Sequence, residues 1–117
     1  YCNAGHNPPA LLRADGTTEW LKGGGLILGV MARARYEEFR VTMNRGDTLV
    51  LFSDGVTEAV PPGSDEEFGE DRLAALLHQN HALGAQELID AVNADVNAWS
   101  AGAPPADDVT LVVAKRT

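Results

Sequence analysis

Thr48-Leu-Val-Leu-Phe-Ser-Asp-Gly-Val-Thr-Glu-Ala59 is the stretch around which the chain is organised. From Thr48 to Phe52 every residue is apolar or β-branched, with no polar alternation, which predicts a strand buried on both faces. That strand runs into Ser53, Asp54 and Gly55. A carboxylate at the exit of a buried strand is costly to desolvate unless a cation, an arginine or a set of N–H groups meets it. Gly55 permits a sharp turn and a close backbone approach. A second acidic point, Asp107-Asp108, opens another apolar run that ends at Val113. If these two strands lie side by side and antiparallel, Asp54 and Asp107 meet at one end of the sheet. Clustered aspartates repel one another, and a hard divalent cation is the usual reason to tolerate them. The two points read as half of a metal site.

The 117 residues suffice for one domain with a modest core. A hydrophobic content of 44% and a charged content of 22% are ordinary for a soluble globular protein. The formal net charge of −8 argues against nucleic-acid binding, because no basic stripe exists to neutralise phosphates. The single cysteine, Cys2, excludes an internal disulfide framework and a Cys-rich zinc site. No apolar run approaches the ~20 residues that cross a bilayer, so the expectation is a cytoplasmic protein without a membrane partner. The chain begins at Tyr1-Cys-Asn-Ala-Gly5, without an initiator Met. This resembles the end of a strand already in progress, so residues 1–117 are expected to be a single, N-terminally incomplete domain.

Tyr1 to Ala4 predicts a short strand, Ala10 to Arg13 another, and Asp15-Gly16 a two-residue hairpin turn into Thr17 to Leu21. Arg35 to Met43 predicts a half-exposed antiparallel strand, because Phe39, Val41 and Met43 alternate with Glu38, Arg40 and Thr42. Asn44 to Asp47 then turns into the central strand, forming a hairpin. Val56 to Ala59 suits one helical turn, and Val60 to Glu67 a loop. Gly69, followed by Glu70 and Asp71, opens a helix with a stripe of Leu73, Leu76 and Leu77. A second helix from Ala85 carries Leu88, Val92, Val96 and Trp99, and stops before Pro104-Pro105. Val109 to Ala114 is the last strand. Strands and helices that segregate in this way argue for the α+β class.

Asn3-Ala-Gly-His-Asn-Pro-Pro9, Gly46-Asp47, Ser53-Asp-Gly-Val-Thr-Glu-Ala59, Phe68-Gly69 and Asp107-Asp-Val-Thr110 occur in this order. Together they resemble the SpoIIE/RsbU-like branch of the metal-dependent (PPM, type 2C) protein serine/threonine phosphatases, over essentially the whole chain. The resemblance implies a four-layer α-β-β-α sandwich of antiparallel sheets flanked by helices, of which this chain is a C-terminal portion. It implies hydrolysis of phosphoserine or phosphothreonine by water activated between two Mn²⁺ or Mg²⁺ ions, with no catalytic side-chain nucleophile. By resemblance, Asp54 and Asp107 are metal ligands, Asp108 supports the same site, and Gly55 is the metal-adjacent turn. The acidic residues of the family's N-terminal half have no counterpart in Tyr1 to Thr117, so the fragment alone is expected to be inactive. The implied partner is a phosphorylated regulatory protein of the anti-sigma-factor-antagonist kind, in a signal-transduction setting.

A rival reading keeps the same fold as a non-catalytic module that docks a signalling partner. The fragment itself, with an incomplete sandwich, is expected to self-associate. Other polar residues carry plainer readings. His6 suits a turn bonded to local backbone, and His78 and His81 sit where a helix C-terminus favours a cation. Gly23-Gly-Gly25 lacks the following Lys-Ser/Thr helix of a phosphate loop. Cys2 has no base near it in sequence.

Overall fold

The computed structural model describes residues 1–117. Four strands, β1 (Ala10–Leu12), β2 (Thr18–Trp20), β3 (Thr48–Phe52) and β4 (Leu111–Lys115), form one antiparallel sheet in the order β2-β1-β3-β4. Between β3 and β4 the chain forms α1 (Asp54–Thr57), α2 (Gly69–Gln79) and α3 (Ala85–Trp99). The α+β class is as the segregated pattern requires.

The β1–β2 hairpin follows from its turn chemistry. Arg13 N–H donates to the Thr17 carbonyl at 2.8 Å and Gly16 N–H to the Arg13 carbonyl at 2.9 Å. Gly16 adopts φ +88°, which a residue with a side chain rarely adopts. The helices follow from their apolar stripes. Leu73 and Leu77 of α2 and Leu88 and Val92 of α3 are at most 1% exposed, and they join Ala10, Leu12, Val50 and Phe52 in one core. Each fully buried leucine of this kind contributes about 1.5–3 kcal/mol relative to exposure. Arg72 of α2 stacks its guanidinium 3.9 Å over the Trp99 ring of α3, closing the helical layer. Beyond α3 the chain turns through Ala101 and Gly102, at φ 50° and 73°, before Pro104-Pro105. Lys115 Nζ donates to the carbonyls of His81, Ala82 and Leu83, which anchors β4 to the α2–α3 connection.

Three expectations change. Tyr1–Ala4 and Arg35–Met43 are not strands. They share one pair of hydrogen bonds, between Tyr1 and Phe39, and a ring stack at 5.5 Å. The alternation of half-buried Phe39, Val41 and Met43 survives, but β1 and β4 already occupy both edges of β3. No hairpin partner is left for that segment. The third change concerns β3 itself, whose burial alternates: Thr48, Val50 and Phe52 face the helices and are buried, while Leu49 and Leu51 are half-exposed. An apolar run predicts burial on both faces only where a layer covers each face, and here the core lies on one.

Candidate metal centre

The pairing of β3 with β4 is the one the two acidic points require. The strands are antiparallel, with Phe52 opposite Leu111 and Val50 opposite Val113. The end of β3 therefore adjoins the segment that leads into β4. Ser53 binds the two together. Its N–H donates to the Thr110 carbonyl at 3.0 Å. Its Oγ accepts the Thr110 N–H at 2.8 Å and donates to the Asp108 carbonyl at 2.7 Å.

Immediately after this clasp, Asp54 and Gly55 begin α1. Gly55 is buried, and a Cβ built on it would lie 2.6 Å from the Asp108 carbonyl oxygen and 3.0 Å from that of Asp107. Only a residue without a side chain lets the two backbones approach so closely. Asp54 Oδ1 accepts the Gly55 N–H at 3.0 Å, and Asp107 Oδ1 accepts the Asp108 N–H at 2.7 Å. These local bonds restrict both carboxylates. Asp54, Asp107 and Asp108 are all solvent-exposed, and none of the three ion pairs in the chain involves them. Exposure, rather than a buried counter-charge, relieves the desolvation cost expected at Asp54.

The sheet thus brings the Asp54-Gly55 turn and the Asp107-Asp108 segment to one rim. Hard carboxylate oxygens in this arrangement suit Mg²⁺ or Mn²⁺ in kind. In number they fall short of a closed site, for no group of three or more His, Cys, Asp or Glu side chains is placed to hold an ion. The remaining polar candidates take the plainer roles. His6 N–H donates to Asn3 Oδ1, and its Nδ1 lies 3.1 Å from the Asn7 carbonyl, within a turn. His78 lies in the last turn of α2, with its Nδ1 3.0 Å from the Gly16 carbonyl. Cys2 is a free, exposed thiol.

Two residues matter more than sequence reasoning assigns. Ser53 is one, since its partners lie more than fifty positions away and only the register reveals them. Asp47 is the other. It is 2% exposed, and it accepts hydrogen bonds from the Asn44 N–H at 2.8 Å, the Ala14 N–H at 3.0 Å and Arg13 Nη1 at 2.9 Å. The Asn44 amide, with Arg13 and Ala14 adding to it against the cost of burial, holds the Asp47 carboxyl below the usual carboxylate range. The Asp47 carbonyl also accepts the Arg116 N–H at 2.9 Å. Asp47 therefore fixes one end of β3 while Ser53 fixes the other.

An antiparallel sheet with helices against one face is the architecture this chain shares with PP2C domains. The SiaA-PP2C domain of Pseudomonas aeruginosa has this fold at a TM-score of 0.74 and 23% identity, over 95% of this chain and 44% of that one. The chain belongs to the SpoIIE family: the model of Stage II sporulation protein E (SpoIIE) matches residues 1–117. It is similar to phosphoserine phosphatase RsbU of Bacillus subtilis, at 34% identity over 90 residues. It is similar also to Protein IcfG of Synechocystis sp., at 30% identity over 116 residues. These matches take in 76% and 99% of this chain, but the chain spans only 26% and 18% of those two proteins.

Proposed function

We propose that the chain is the C-terminal portion of a metal-dependent protein serine/threonine phosphatase domain that removes phosphate from phosphoserine or phosphothreonine on a regulatory protein. The observation that carries this reading is the contact of Gly55 with the Asp107 and Asp108 carbonyls, which joins the two acidic turns at one rim. Family membership and the likeness to RsbU support it further. Asp54 and Asp107 would hold metal, and Asp108 would extend the same oxygen-rich rim. Mn²⁺ or Mg²⁺ bound there supplies acidity to water and offsets charge on phosphoryl oxygens. The chain's own residues orient that chemistry: Ser53 sets the spacing of the turns, and the local N–H bonds fix one oxygen each of Asp54 and Asp107.

The missing ligands would come from a preceding half of the parent domain, which fits the 44% coverage of the SiaA domain and the half-exposed Leu49 and Leu51 face of β3. The isolated 117 residues are then inactive. The resemblance to the SpoIIE/RsbU-like phosphatases suggests an anti-sigma-factor antagonist as the substrate and cytoplasmic signalling as the setting. No helix is long and apolar enough to cross a membrane.

Titration of the parent protein with Mn²⁺ tests the reading, with phosphate release from a phosphoserine peptide and calorimetric Mn²⁺ binding followed together. Asp54→Asn is expected to abolish release and to weaken binding. Release that survives Asp54→Asn and Asp107→Asn together rejects the site. Tight partner binding without turnover at any metal concentration would favour a docking module instead.

A further inference from the structure

A cavity of about 420 Å³ opens beside the acidic rim, within the ~300–1,000 Å³ range of ligand pockets. It lies between the loop after α1, the C-terminal half of α3 and the loop before β4. Gly55 and Val109 line it, so its inner wall is continuous with the turns that carry Asp54 and Asp108. None of its 16 lining residues is charged, in a chain of which 22% is charged and whose net charge is −8. Four of the chain's six prolines, in the pairs Pro61-Pro62 and Pro104-Pro105, form part of its walls. Proline fixes φ, so these walls are stiff. On α3, Asn93 and Asn97 lie four residues apart on one helix face and both line the cavity. A carboxamide carries a donor and an acceptor side by side, which matches the N–H and C=O of an extended polypeptide.

Resting on the phosphatase reading above, we infer that this cavity is a specificity subsite that holds an uncharged, extended segment of the phosphoprotein next to its phosphorylated residue. The continuity with the rim selects a polypeptide occupant. The three carboxylates do not line the cavity, but a phosphoryl group held by them would have its neighbouring residues at the rim that Gly55 and Val109 share with the cavity wall. The uncharged lining selects the sequence of that segment, because an ion in the segment would lose water there without gaining a partner. Asn93 and Asn97 read the backbone, and Val96, 8% exposed at the cavity wall, meets an apolar side chain.

The test uses the parent protein and two short fluorescein-labelled phosphoserine peptides, one flanked by Ala, Val and Gly and the other by Glu. Binding is read by anisotropy, and turnover of para-nitrophenyl phosphate, which has no flanking segment, is measured in parallel. The peptide with uncharged flanks is expected to bind about tenfold more tightly than the acidic one. Asn97→Asp and Ala103→Trp, one adding charge and the other filling the cavity, are each expected to weaken it by about tenfold. Turnover of para-nitrophenyl phosphate is expected to stay within about twofold of the unmodified protein. Equal binding of the two peptides, or unchanged binding by both variants, overturns the subsite and leaves the phosphatase reading standing. A parallel loss of para-nitrophenyl phosphate turnover in both variants also overturns it, since the cavity would then only support the fold. If the unmodified protein turns over no phosphoester, the phosphatase reading fails, and the anisotropy comparison still decides what the cavity binds.

Discussion

Ser53 Oγ donates to the Asp108 carbonyl oxygen at 2.7 Å while accepting the Thr110 N–H at 2.8 Å, so one hydroxyl locks the exit of β3 to the entry of β4. The spacing of the two acidic turns depends on this clasp. Ser53→Ala leaves a carbonyl and an N–H to find water, at a cost of about 1 kcal/mol in stability. The larger effect is expected in the parent protein's metal response. The Mn²⁺ concentration for half-maximal activity should rise several-fold, with the maximal rate nearly restored at saturating metal. Ser53→Thr, which keeps the hydroxyl, should recover most of the response. An unchanged Mn²⁺ midpoint in Ser53→Ala would show that the clasp does not set the ligand spacing.

Gly55→Ala tests the same junction two residues further along the chain. A methyl group 2.6 Å from the Asp108 carbonyl oxygen forces backbone to move, since the obstacle is not a flexible side chain. Overpacking of this kind costs about 1–3 kcal/mol. Because the displaced backbone carries Asp107 and Asp108, activity of the parent protein should fall by about a hundredfold, more than the lost stability explains. Thermal unfolding and Mn²⁺-dependent turnover measured on one preparation separate the two effects. Equal losses in both would mean that Gly55 serves folding alone.

The far end of β3 gives a pH signature. Asp47 is held charged by the Asn44 amide, Arg13 and the Ala14 amide, so its folded pKa lies below its unfolded one. The sign follows from linkage: its stabilisation is complete above the unfolded pKa, near 4, and is lost as pH falls through the folded value. Asp47→Asn cannot titrate, and at neutral pH it should unfold about 1–3 kcal/mol more easily. The gap in urea midpoint between the two proteins should narrow as pH drops below about 4. A gap that stays constant down to pH ~2.5 would place the contribution of Asp47 in packing rather than in charge.

The elements that the sequence reveals are those fixed by local pattern. α2 and α3 emerge from stripes such as Leu73-Leu76-Leu77 and Leu88-Val92-Val96, and they stop at turn residues nearby. β3 runs from Thr48 to Phe52 as its apolar composition indicates. What fails depends on distant partners. The alternation over Arg35–Met43 is compatible with a strand, but strand formation needs a free edge, and β1 and β4 leave β3 none. Half-exposure of Leu49 and Leu51 is likewise set by which layers cover the sheet, not by their own character. At the candidate site, Asp54, Gly55, Asp107 and Asp108 are legible as residue types at strand ends. Ser53 is not, because its bond to Thr110 spans 57 positions and appears only once β3 and β4 are in register.

The exposed face of the sheet yields the last prediction. Leu51 is half-exposed and pairs with Val112, which is 53% exposed, so both side chains lie on the face opposite the helices. Leu26, Ile27, Leu28, Val30 and Met31 are each more than half exposed, which adds further unpaired apolar surface. Exposed apolar surface of this kind drives association. The isolated 12.4 kDa chain is therefore expected to scatter light as dimers or larger species as its concentration rises. Val112→Lys puts a charge on the open face of an edge strand and should shift the population toward monomer. Far-UV circular dichroism should stay unchanged, because Val112 lies outside the core. A Val112→Lys chain that still associates as strongly would locate the contact at the exposed apolar loop, and Leu28→Lys would then be the variant that releases the monomer. If neither substitution, alone or combined, lowers the scattering mass, association does not run through these surfaces.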